Sequence, residues 1–150
     1  LEFRRVLFRS REFLVQRLAQ LDDGKCMKSA AKVAINSIKG PCASLDFVNT
    51  AIDVMAEIEP SVYRKMLSCL VTFDRYDEQS LIAQPVCLIA GSHDSNVPVK
   101  TMSKMRDKMP KASLTVIEGA GHLVHSEMPA ATNKVLVNFL DKIESMQKWD

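Results

Sequence analysis

From Phe13 to about Phe73, apolar positions recur at helical spacing, with none of the sustained alternation that a half-buried strand requires. "FLVQRLAQLDDG" (13–24) runs into a Gly stop and "KSAAKVAINSIKGP" (28–41) into Gly-Pro. "SLDFVNTAIDVMAEIE" (44–59) puts Phe47, Ala51, Val54, Met55 and Ile58 near one face. "PSVYRKMLSCLVTF" (60–73) opens with Pro60, a residue tolerated in a first helical turn. The pattern predicts three or four short helices in succession.

Past residue 84 the pattern changes. "PVCLIAG" (85–91) is a continuous apolar run bounded by Pro and Gly, as a strand covered on both faces of a parallel sheet would read. "VKTMSKMRDKMP" (99–110) spaces Met102, Met105 and Met109 along one face of a helix that Pro110 ends. "SLTVIEG" (113–119) reads as a second buried strand. "EMPAATNKVLVNFLDKIESM" (127–146) reads as a long last helix with Val135, Leu136, Phe139, Leu140 and Ile143 toward the core. Strand, helix, strand, helix with short loops predicts an α/β fold containing a right-handed βαβ unit. Two parallel strands alone leave edges and faces uncovered, so the expected sheet has further strands upstream of this segment.

Length and composition narrow the class. The 150 residues, 47% of them apolar, suffice for one core, while charges and Pro/Gly breaks exclude a membrane span. The formal charge is +2, but Arg4, Arg5 and Arg9 against Glu2 place all of that excess in the first ten residues, so no basic patch argues for nucleic acid. Those ten residues lack an initiating Met and a signal-peptide core, and their composition breaks at Arg11. Back-translated, they resemble the end of a widely used sequencing adapter. Residues 1–10 are accordingly read as a non-native segment joined to a coding sequence whose start is missing, and no compartment follows. Cys26, Cys42, Cys69 and Cys87 are irregularly spaced without C-x-x-C, which points to buried free thiols rather than zinc ligands or a disulfide framework.

Each strand should deliver one chemically loaded loop to the carboxyl edge of the sheet, "GSHDSNVP" (91–98) and "GAGHLVHSE" (119–127). That placement sets Asp94 beside His122. A carboxylate next to an imidazole holds its tautomer and stabilises the imidazolium formed when the far nitrogen takes a proton. Gly119 and Gly121 suit a tight loop from which the ring projects. Asp94 taken alone reads as a turn residue, and a lone loop histidine as a satisfied one. A metal site built from His93, Asp94, His122 and His125 is set aside because the spacing matches no ligand signature. Ser126 and Glu127 read as a cap and a first-turn acid of the last helix.

On these motifs the chain from Phe13 to Leu140 resembles the C-terminal half of an α/β-hydrolase. "QPVCLIAGSHDSNVP" is similar to that family's acid-bearing strand and loop, and "VIEGAGHLVHSEMPAATNKVLVNFL" to its histidine loop and closing helix. "FLVQRLAQLDDG" followed by "FDRYDEQSLIAQPV" is similar to the 3-oxoadipate enol-lactonase-like branch of carboxylic-ester hydrolases. The resemblance implies a helical cap segment over 11–74 that shapes the pocket, and the last two parallel strands with their helices over 75–150. It implies Asp94 as triad acid, His122 as triad base, a small ester or lactone as substrate and no cofactor. The family's G-x-S-x-G nucleophile elbow does not occur in the chain, so the expected serine lies upstream and these residues alone should be inactive. A non-catalytic hydrolase-like domain that binds a ligand or partner remains the rival reading.

Overall fold

The computed structural model describes residues 2–147, with side chains for 12–146. The side chains of the segment read as adapter-derived, 1–10, lie outside the described residues. Two compact units emerge: residues 1–37 with 48–76, and residues 38–47 with 77–150. No helix among the described residues is long and apolar enough to cross a membrane.

In the first unit the four helical windows fold as α1 (Glu2–Asp22), α2 (Met27–Ile38), α3 (Leu45–Ala56) and α4 (Pro60–Thr72). Gly24, at φ +75, ends α1 by letting the chain turn back: Gly24 N donates to Leu21 O (3.1 Å) and Lys25 N to Gln20 O (2.9 Å). Pro60 sits in the first turn of α4, as its fixed φ favours, and the Glu59 side chain accepts from Ser61 N (2.8 Å) and Val62 N (3.1 Å). Met27, Ala30, Tyr63 and Leu67 form the buried centre, with Phe13, Leu14, Leu18, Leu21, Met55 and Ile58 packed around it. Burial pushes the Tyr63 phenol above its ordinary range and lowers Arg17, whose guanidinium lies 5.1 Å over the Phe13 ring.

The inward face of α3 differs from the sequence expectation. Val48 and Ile52 are its buried residues, whereas Val54 is 63% exposed. At 3.6 residues per turn Val54 lies about 120° round the helix from Val48, outside the arc that Val48, Ile52 and Met55 define. The cysteines are free, but Cys26, Cys42 and Cys69 are exposed and Cys87 only half-buried, correcting the expectation of buried thiols. The three exposed ones occupy the approach to α2, the turn after Gly40-Pro41 and the outer side of α4, while Cys87 lies in the apolar run 85–91.

In the second unit β1 (Val86–Gly91) and β2 (Ala112–Ile117) pair in parallel, Val86 opposite Ala112 through Gly91 opposite Ile117. A 3-10 turn (Asp77–Leu81) precedes β1, and α5 (Val99–Lys108) joins the strands. Only Ala90 and Gly91 of β1 and Ile117 of β2 are buried, because two strands and their helices leave the faces partly open. Met109 closes the end of α5 as a buried residue. The last helical stretch is divided at Met128 into α6 (Val124–Glu127) and α7 (Pro129–Gln147), and Thr132 Oγ1 donates to Val124 O (3.0 Å) and Met128 O (2.9 Å) across the break. On α7, Val135, Phe139 and Ile143 are half-buried as expected, whereas Leu136 and Leu140 face outward.

Candidate functional site

Because Gly91 and Ile117 are register partners, both loops leave the sheet at the same edge, Asp94 three residues beyond one strand and His122 five beyond the other. Pairing continues past the strands: Ser92 N donates to Ile117 O (3.0 Å) and His93 N to Ala120 O (2.9 Å). A Cβ at Gly91 would collide with the backbone of Ala120 and Gly121, so a glycine here is what lets the loops lie against each other. Gly119 takes φ +77, the left-handed region open to glycine, and its N–H donates to Ser92 Oγ at 2.9 Å.

The two residues singled out from sequence meet. His122 Nδ1 lies 2.8 Å from Asp94 Oδ2, and since a carboxylate only accepts, Nδ1 carries the hydrogen and Nε2 is left as the basic nitrogen. The Asp94 side chain is 7% exposed and that of His122 35%, so the acid is sheltered while the imidazole reaches solvent. Asp94 also performs the turn role expected of it alone: its Oδ1 accepts from Asn96 N (2.8 Å) and Val97 N (2.9 Å). One oxygen folds the loop and the other faces the ring, so the turn and the pairing reinforce each other.

His93 and His125 are not gathered in. His93 is exposed with Nδ1 2.9 Å from Ser92 Oγ, and His125 is exposed on α6. Among the described residues no group of three or more His, Cys, Asp or Glu is arranged to hold a metal ion.

Sequence reasoning missed the supports of the histidine loop. Glu127, expected as a first-turn acid of the last helix, is buried at the end of α6 and accepts from Gly40 N (2.7 Å), Gly121 N (2.8 Å) and Leu123 N (3.1 Å). His122 N donates to Ile38 O (2.9 Å) and Cys42 N to Gly119 O (3.2 Å), so residues 38–42 back the loop from outside the β-α-β segment. The chain carried one clue to this: a run of loop N–H groups from 119 to 123 requires acceptors, and Glu127 is the nearest carboxylate following it.

Comparison with known proteins places this geometry in context. A family profile described as TAP-like protein matches residues 71–146. The protein named "Putative carbamate hydrolase RutD" from Caulobacter sp. (strain K31) is 30% identical over 81 residues, covering 54% of this chain and 30% of its own length. A hydrolase from Oleispira antarctica superimposes with a TM-score of 0.76 at 17% identity, over 87% of this chain and 47% of the neighbour. The enol-lactonase from Burkholderia xenovorans LB400 gives 0.75 at 19% identity over 87% and 50%. A thermophilic esterase from Thermogutta terrifontis gives 0.76 at 18% identity over 90% and 51%. The chain therefore spans about half the length of these solved neighbours, which share its fold, and less of the curated relative.

Proposed function

As the chain belongs to the TAP-like protein family of α/β-hydrolases, we propose that Asp94 and His122 are the acid and base of a serine-type hydrolase acting on a small carboxylic ester or lactone. The observation that carries this reading is the 2.8 Å contact between His122 Nδ1 and a sheltered Asp94 Oδ2, which leaves Nε2 free to take a proton. The names of an esterase and an enol-lactonase among the solved neighbours agree with the substrate class.

In this proposal Nε2 of His122 removes the hydroxyl proton of a serine as its oxygen attacks the acyl carbon. Asp94 Oδ2 keeps the ring oriented and stabilises the imidazolium; it accepts the Nδ1 hydrogen and does not itself take the proton. His122 then returns the proton to the leaving alkoxide, giving an acyl-serine that water, deprotonated by the same nitrogen, hydrolyses. The chain contains no G-x-S-x-G, so the serine is placed upstream of residue 11 in the whole protein. Residues 11–74 are proposed as that protein's cap segment.

Hydrolysis of 4-nitrophenyl acetate tests the assignment. With the upstream sequence restored, His122→Ala should lower kcat by about a thousandfold or more. The 150-residue chain should show no turnover that depends on His122. Turnover by that chain which disappears in His122→Ala would place the nucleophile among the residues in hand and sink the upstream-serine reading.

A further inference from the structure

Glu127 is one of two polar residues buried as a whole among the described residues, and its carboxylate lies beside the histidine loop rather than in the acid–base pair. Its Oε2 accepts from Gly40 N and Gly121 N, and its Oε1 from Leu123 N. Between these last two donors, the N–H of His122 itself goes to Ile38 O. All three consecutive N–H groups centred on the imidazole-bearing residue are thus fixed, two of them by one side chain. The same side chain grips Gly40, 87 positions upstream of it.

Packing leaves the loop little other room. A Cβ at Gly121 would run into Gly40 N, Ile38 O and Lys39 C, and one at Gly40 into Gly119 O, Ala120 C and Gly121 N. The segments 38–42 and 119–122 lie backbone to backbone. The N–H groups of Gly40 and Gly121, one from each segment, share a single side-chain oxygen, Glu127 Oε2, as acceptor. The single turn of α6 delivers it, returning residue 127 to the loop it left at Leu123.

We propose that Glu127 is a positioning residue for His122: by holding the N–H groups on both sides of it, and Gly40 behind it, Glu127 fixes the backbone from which the ring reaches Asp94. The proposal rests on the reading of Asp94 and His122 as acid and base. Three donors converge on two oxygens, so the group must be an acceptor at both. Gln has nearly the same shape, but its NH2 faces at least one of the three N–H donors, which costs the hydrogen bond and opposes two donors. A residue that merely stabilised the start of the last helix would be tolerant of that change and would leave the ring unmoved.

The test is the hydrogen position on the His122 ring, read by 15N NMR on the full 150-residue chain at about pH 8, where an ordinary imidazole is neutral. Four forms are compared: the parent, Glu127→Gln, Asp94→Asn, and Thr132→Val, which removes two hydrogen bonds next to α6 without touching residues 119–123. The parent and Thr132→Val should show the hydrogen on Nδ1, and Glu127→Gln should lose that signature while its far-UV circular dichroism is kept. A parent-like ring in Glu127→Gln overturns the proposal, as does an equal loss in Thr132→Val, which would make the effect one of general stability. An unchanged ring in Asp94→Asn instead defeats the acid–base reading and leaves the Glu127 result to stand or fall separately. Should Glu127→Gln not fold, amide exchange in the parent decides. The N–H groups of Gly40, Gly121 and Leu123 should exchange slowly and together, and exchange at the rate of an open loop overturns the proposal.

Discussion

At Gly121 the backbone of one segment occupies the place where a side chain would begin, and at Gly24 nothing does. The two glycines separate the reasons a chain needs that residue. Gly24 has φ +75 and open space around its Cβ position, so Gly24→Ala meets only the left-handed backbone cost of about 1–2 kcal/mol. Gly121→Ala drives a methyl group into Gly40 and Ile38, an overpacking cost of roughly 1–3 kcal/mol, with about 1 kcal/mol more for each hydrogen bond broken. Urea denaturation should rank Gly121→Ala as the more destabilising, and the His122 ring resonances should move in that variant alone. A Gly24→Ala change that disturbed the ring would contradict the assignment of the histidine support to residues 38–42. Asp94 and His122 were legible in the sequence because their loops follow two recognisable strands. Glu127 was only partly so: two of its donors, Gly121 and Leu123, are local, but the third, Gly40, lies 87 residues away where no local pattern connects it.

Among the elements, α4 shows what a cap contributes and when. The Glu59 carboxyl is held below its ordinary range first by the Ser61 hydroxyl, then by the N–H groups of Val62 and Ser61. A depressed folded-state value means the folded chain binds a proton less readily than the unfolded one. The cap's contribution is therefore present above the ordinary carboxylate range and lost as pH falls through the depressed folded value. Thermal unfolding followed at neutral pH and near pH 3 should show a larger fall for the parent than for Glu59→Gln, whose amide oxygen caps without titrating; equal falls would remove the cap from the account of α4. Helix number was legible because the first three stops are marked by Gly24, Gly40-Pro41 and Pro60, whereas α4 ends at Thr72 with no Gly or Pro to announce it. Inward faces were less so: on α3 and α7 the apolar arc in the sequence is wider than the surface available to cover it. Val54, Leu136 and Leu140 fit the period and yet face outward.

Across the whole molecule, the class of fold followed from two apolar runs bracketing a helix, the βαβ pattern from which parallel α/β sheets are built. How deeply those runs are buried depends on neighbours that two strands do not provide. The consequence is measurable on α7, where Leu136 is 41% exposed, Val137 54% and Leu140 56%. Were these leucines in the core, as the sequence pattern suggests, replacing both by Gln would cost several kcal/mol from lost burial and desolvated amides. With the side chains in solvent, the pair Leu136→Gln and Leu140→Gln should change the free energy of unfolding by less than about 1 kcal/mol. The same double variant should bind less of a hydrophobic dye than the parent, because it removes two apolar contributors from one face of a helix. A loss of several kcal/mol in urea denaturation, with dye binding unchanged or increased, would show instead that this face is covered in the 150-residue chain and that the sequence pattern had read α7 correctly.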